Sequence, residues 1–189
     1  MKSPEDNFSF YAAWYWFSLF LASTFMAVYN TAQWDECVKE NKGKIIIEEY
    51  IQQHNSTVGK IYAAYLAKSF YDAGNEFSLD PLLLVAVGHP ESGFDRLAVS
   101  NKGALGVMQI MPFWIGHIPF IKSKEDLLNP EKNIRAGAYI LKMYIQECGG
   151  LKNGIRCYHG GPRSLIHPKQ ASLEYVGDVL TKYRQIDSI

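Results

Sequence analysis

Asp80-Pro81-Leu82-Leu83-Leu84-Val85-Ala86-Val87-Gly88-His89-Pro90-Glu91-Ser92-Gly93-Phe94 is the stretch that decides the fold. Residues 82–87 are apolar on every side, so an element built from them is buried all round. Asp80 suits an N-cap and Pro81 a first helical position, where its missing N–H costs nothing. A carboxylic acid, Glu91, stands where this run ends. Apolar surroundings disfavour the charged form and raise a carboxyl pKa. That is the condition for a general acid near neutral pH.

The neighbouring sequence frames this acid. Gly106-Val107-Met108-Gln109 follows after a turn rich in Asn, Gly and Ser around residues 99–103. Gln109 supplies an amide donor and acceptor suited to sugar acetamido or hydroxyl groups. Met108 and Ile110 also admit a plain core reading, which is preferred for Ile110. Before the central helix, Ser56 or Thr57 is expected to cap a helix that runs to about Ala73 and ends at Gly74. After it, Asn129-Pro130 opens a helix that Gly149-Gly150 ends. Residues 157–162 read as a loop. Residues 173–183 read as a closing helix, with Tyr175, Val179 and Tyr183 at four-residue steps. The residues between Phe113 and Ile121, with Trp114, His117 and Phe120, fit a cleft-lining insertion or a plain hydrophobic loop.

The order of these motifs resembles the lytic transglycosylase (goose-lysozyme-like, SLT) family. The matching residues are Glu91-Ser92, Ser100, Gly106 to Gln109 with Ile110-Met111-Pro112, the Asn-Pro-x-x-Asn-Ile-x-x-Gly start at Asn129, and Tyr158-His159-Gly160-Gly161-Pro162. The resemblance covers roughly residues 57–186. It implies an all-α, lysozyme-like helical domain with at most a vestigial sheet. It implies cleavage of the β-1,4 bond between N-acetylmuramic acid and N-acetylglucosamine in peptidoglycan, with Glu91 catalytic. Ser100, Met108, Gln109, Tyr158 and His159 are then the expected substrate-binding residues. The family carries one carboxylate at this position, which suits substrate-assisted chemistry, an exception to the two-carboxylate rule. No metal or cofactor is implied.

Two departures from the family pattern stand out. Pro90 precedes the acid, and a proline near a helix end removes one backbone bond and clashes with the preceding turn. A kink or a shortened helix before Glu91 is therefore expected. In the tyrosine motif, Cys157 stands where an alanine is usual and His159 where an asparagine is usual. His159 can imitate one hydrogen bond of the asparagine while adding a titrating group.

The N-terminal region has a different character. Residues 8–29 form a 22-residue run without a charge and with ten aromatics. As a helix it would span roughly 33 Å, about a bilayer core. The flanks, Lys2 with Glu5 and Asp6, are hardly basic, and no clean small-x-small site follows, so a retained anchor is preferred over a cleaved signal or an amphipathic helix. The division expected is an anchor at 1–30, a connector at 31–56 and the catalytic domain at 57–189. The connector is either a stalk or the domain's first helix, since Ile47, Tyr50 and Ile51 have helical spacing. Lysines near the span lean toward a cytoplasmic C-terminus, whereas a peptidoglycan enzyme requires the opposite. The expected setting is a single-pass protein of a bacterial inner membrane or phage virion membrane. Its catalytic part would face the wall, and an envelope-spanning or virion assembly is the expected partner.

Composition excludes other classes. The 189 residues hold 19 Lys+Arg and 19 Asp+Glu, so no basic field points to nucleic acid. Three cysteines, Cys37, Cys148 and Cys157, are too few for a disulfide scaffold, and their spacing matches no zinc site. Cys148 and Cys157 read either as a pair or as two buried thiols. The histidines are too scattered for a metal motif. Two rival functions share the sequence features. One is a hydrolytic muramidase on the same scaffold, and the other a catalytically weak glycan-binding component of an envelope or virion assembly.

Overall fold

The computed structural model describes residues 4–167 and 169–189, with the side chains of residues 4–17 and 19 outside that description. Two compact units divide the chain, residues 1–42 and 43–189. The elements in order are α1 (Pro4–His54), α2 (Lys60–Phe77), α3 (Pro81–Ser92), a 3-10 turn (Pro112–Trp114), α4 (Lys124–Leu128), α5 (Pro130–Glu147), α6 (Leu151–Gly160), α7 (Arg163–Ile166) and α8 (Gln170–Asp187). Extended structure among the described residues amounts to two isolated antiparallel bridges, Val99 with Leu105 and Leu105 with Ile110. The unit of residues 43–189 is thus helical.

α3 is the axis of that unit. Asp80 caps it by accepting from the Leu82 N–H at 2.9 Å. Six consecutive residues, Leu83 to Gly88, are buried. Each large apolar side chain so buried contributes roughly 1.5–3 kcal/mol. Among the named helix pairs, α3 packs on α2 and α8, and α5 packs on α2 and α6. Of the two outcomes expected from Pro90, a kink or a shortened helix, the shortening does not occur. The helix runs on to Ser92 and ends at Gly93, whose N–H donates to His89 O at 2.9 Å. A proline two residues before the end costs the helix one donor, while the rest of the last turn still closes. Glu91 therefore sits on helical backbone.

Other boundaries moved for identifiable reasons. α2 begins at Lys60, with Gly59 as cap rather than Ser56 or Thr57. It passes through Gly74 and ends at Ser78, which takes the left-handed conformation. Gly74 is a packing glycine: a Cβ there would lie 2.8 Å from Pro81 Cγ and 2.9 Å from Leu79 O. The expected loop at residues 157–160 is instead the last turn of α6, whose Gly154, Ile155 and Cys157 are buried. Ile47, Tyr50 and Ile51, at the C-terminal end of α1, are buried in the core of the unit that begins at Gly43. Cys148 and Cys157 form a disulfide.

No helix is long and apolar enough to cross a membrane among the described residues. The anchor expected at residues 8–29 lies within α1, and the side chains of residues 8–17 and 19 fall outside the described set.

Candidate active site

Glu91 sits in the last turn of α3, partly covered. Burial pushes its carboxyl up from 4.5 to about 7, against the opposing effect of a hydrogen bond from Tyr175. The Tyr175 hydroxyl donates that bond to Glu91 Oε1 at 2.6 Å, from α8. Tyr175 is held well above its usual pKa, by burial first and by the nearby Glu91 charge second. Tyr158 is raised well above its usual value for the same two reasons, in the same order. A carboxyl and two phenols from three helices thus share one poorly hydrated region. Both phenols stay protonated, so of the three the carboxyl is the group that titrates near neutral pH.

The segment after the acid is pinned from three sides. Ser92 Oγ donates to Val107 O at 2.7 Å from α3. The Tyr158 hydroxyl donates to Met108 O at 2.8 Å from α6. Asn133, fully buried in α5, accepts from Met108 N at 2.7 Å and donates to Leu105 O at 2.9 Å and Leu127 O at 2.8 Å. Gly106 makes this approach possible. Its φ is +76°, and a Cβ would lie 2.6 Å from Asn133 Nδ2. The close approach leaves no room for a side chain, and the positive φ favours glycine. Asn133 belongs to the helix-start motif, and its position three residues after Pro130 was the signal in the sequence. Its role is to satisfy backbone groups in a chain segment that cannot do so itself.

This geometry revises several expected substrate contacts. Met108 is fully buried, its side chain wedged between Gly88 and Gly137, with a hypothetical Gly137 Cβ only 2.8 Å from it. Its side chain is therefore core, and it serves the site through its carbonyl. Gln109 lines the cavity, yet its Nε2 donates to Ala98 O at 3.1 Å and Gly106 O at 3.0 Å. Both amide hydrogens are spent on the turn, which leaves Oε1 as the side chain's outward group. Gln109 also holds φ +50°, which the backbone tolerates at a cost of about 1 kcal/mol. Ser100 Oγ accepts from Ala104 N at 3.0 Å and so shapes the turn that precedes the glycine segment. His159 is exposed, and its ring stacks on Tyr175 with centroids 4.3 Å apart. Burial, and then the Lys102 charge, lower its pKa.

A cavity of about 370 Å³ opens beside this cluster, lined by Gln109, Ile110, Met111, Phe113, Trp114, Ile140, Tyr144, Cys157, Tyr158, His159 and Gly161. Glu91 is not in that lining. The cavity meets the acid through Tyr158, which borders one and feels the charge of the other. Phe113 and Trp114, from the insertion, form part of the wall, and Phe113 stacks on His117 at 4.7 Å. Asp95, the nearest acid in sequence, is exposed and accepts from Leu97 N at 2.8 Å in its own turn. Among the described residues, no three His, Cys, Asp or Glu side chains gather to hold a metal ion.

The pairing of Tyr175 with Glu91 was missed by sequence reasoning. Glu91 and Tyr175 are 84 residues apart, and the four-residue step to Val179 describes a helix face without naming its partner. 

Comparison with known proteins places the chain. The family described as Transglycosylase SLT domain matches residues 68–175, more than half of the chain. Membrane-bound lytic murein transglycosylase C of Edwardsiella ictaluri is 33% identical over 109 residues, covering 50% of this chain and 30% of the relative. A transglycosylase of Enterobacteria phage PRD1 is 30% identical over 89 residues, covering 47% of this chain and 32% of the relative. The matched region therefore spans about a third of these relatives' length. The 70 kDa soluble lytic transglycosylase of Escherichia coli superposes with a TM-score of 0.62 over 75% of this chain and 29% of its own, at 22% identity. That likeness speaks for a shared lysozyme-like fold. With a family match over most of the helical unit and the acid held at the end of its central buried helix, the chain belongs to the transglycosylase SLT domain family.

Proposed function

We propose that this chain is a peptidoglycan lytic transglycosylase that cleaves the bond between N-acetylmuramic acid and N-acetylglucosamine. The observation that carries the reading is Glu91, a carboxyl raised to about 7 by burial and met by one phenol. Near neutral pH it exists in both protonation states, as a group that acts first as acid and then as base must. Protonated, it donates to the glycosidic oxygen. The substrate's own acetamido group stabilises the positive anomeric carbon, since Asp95 is engaged in its own turn. Glu91, now ionised, takes the proton from the C6 hydroxyl, which attacks the anomeric carbon and closes a 1,6-anhydro ring. Tyr175 orients the carboxyl. Tyr158, His159, Gln109 Oε1 and the Ser100 turn border the expected sugar position.

The relatives' names support the substrate class, one being called a membrane-bound murein transglycosylase. Digestion of purified sacculi followed by mass spectrometry tests the activity. Wild type should release anhydro-muropeptides, and Glu91→Gln should release none while remaining folded. Reducing-end products would assign a hydrolytic muramidase instead. An active Glu91→Gln variant would remove the acid from the mechanism.

Residues 8–29 serve, on the same reading, as a membrane anchor that leaves residues 43–189 on the wall-facing side. The support is the uncharged aromatic run and the membrane-bound relative. Leu21→Arg in the full chain should shift the protein from the membrane to the soluble fraction, because a central arginine costs roughly 2.5–3.5 kcal/mol of insertion. An unchanged distribution would discard the anchor. A tethered enzyme of this size fits local wall opening by an envelope or virion machine.

A further inference from the structure

We propose, resting on Glu91 as the proton donor, that the Cys148–Cys157 disulfide is a positioning device for the acid site, holding the last turn of α6 against Glu91 and Tyr175. α6 has only ten residues, Leu151–Gly160, and its N-terminus at Gly150 carries no side-chain cap. A helix so short is marginal by itself. Yet this helix carries Tyr158, whose hydroxyl anchors Met108 O, and His159, whose ring lies on Tyr175. The disulfide joins Cys157, fully buried and directly before Tyr158, to Cys148 at the C-cap of α5. Between them the chain doubles back through Gly149 and Gly150, at φ +78° and +105°. Cys157 also lines the cavity together with Ile140 and Tyr144 of α5. The bond therefore ties the weak helix to the long one at the turn where the site residues begin. It opposes the local opening to which short elements are prone. Opening there would separate His159 from Tyr175 and admit water to Glu91. A bond of this kind persists in an oxidising compartment, as the wall-facing side of an envelope is.

The test compares the full-length wild type with Cys148→Ala/Cys157→Ala and with Cys148→Ala alone, each assayed well below its own unfolding midpoint on soluble, uncrosslinked peptidoglycan strands. Both variants should lose about tenfold in kcat with KM within about twofold, since misplacement of roughly 1 Å can cost up to a hundredfold. The alkaline limb of kcat should move to lower pH as Glu91 becomes better hydrated. A lowered midpoint with kcat and the limb unchanged would make the disulfide merely structural and overturn the proposal. So would full activity in Cys148→Ala with loss confined to the double variant, which would assign the effect to Cys157 packing. A readout independent of activity is the stability gained by Glu91→Gln at alkaline pH. It should shrink in the disulfide-free background, and an undiminished gain overturns the proposal. Should wild type release no anhydro-muropeptides while that gain shrinks, the lytic reading fails and the positioning of Glu91 stands.

Discussion

Replacing Glu91 with Gln should stabilise the protein by an amount that depends on pH. Unfolded, the carboxyl titrates near 4.5, and folded, burial holds it near 7. Between those values the folded state binds the proton that the unfolded state has released, so stability falls as pH rises. The gap of about 2.5 pH units, at about 1.4 kcal/mol each, comes to about 3.5 kcal/mol. Below pH 4.5 both states are neutral and the contribution is fully present. Above 7 both are ionised and the loss is complete. Glutamine keeps the shape, remains neutral throughout and can still accept from the Tyr175 hydroxyl. The variant's advantage over wild type should therefore grow through this window and level off by about pH 8. For a domain of this size, 1 kcal/mol moves the midpoint by about 2–4 °C, so the expected gain is about 7–14 °C. Thermal unfolding of both proteins at half-unit pH steps measures it, and titrations common to both cancel in the difference. A difference that stays flat between pH 4.5 and 7.5 would refute the argument, because a hydrated Glu91 has no reason to hold its proton.

Three other perturbations address the supports of the site. Tyr175→Phe removes the bond that lowers the Glu91 pKa. The alkaline limb of the pH–rate profile should move upward and kcat should fall about tenfold, as expected when a group that orients an acid is lost. A profile identical to wild type would separate Tyr175 from the chemistry. Asn133→Ala leaves Met108 N and Leu127 O without their buried partner, while Leu105 O keeps Ile110 N, which should cost about 2–3 kcal/mol in urea unfolding. A loss under about 1 kcal/mol would mean that the segment finds other partners. His89 is held down to about 4, by burial first and then by the charges of Lys182 and His54, so it stays neutral in the fold. The unfolded chain gains that proton as pH falls below about 6.5, and stability is lost from there to about 4. His89→Gln should show a shallower loss over this range than wild type, measured by chemical denaturation, and an equal slope would place the acid sensitivity elsewhere.

Much of the arrangement is legible in the sequence. The six-residue apolar run with Asp80 and Pro81 announces a buried helix, since only all-round packing accommodates such a surface. Asn129 and Pro130 announce the start of α5 through local capping, and the Asn129 side chain does accept from Lys132 N at 3.0 Å. Glu91 was identifiable because an acid at the end of an apolar run is unusual in any fold. Local chemistry also misled. Pro90 and Gly74 carry breaker signals, but packing on both sides of α2 and α3 outweighs the loss of one donor or one methyl.

Sequence thus sufficed for the buried helix that ends near Glu91, the start of α5 and the family, because capping, apolar periodicity and motif order act over a few residues. Tertiary structure alone decided that Tyr175 meets Glu91, that Asn133 supports the glycine segment, that Met108 is core, and that Cys148 finds Cys157. Each of these depends on how helices far apart in the chain come to lie against one another. No local pattern encodes such a pairing, because its energy is realised only when both partners leave water together.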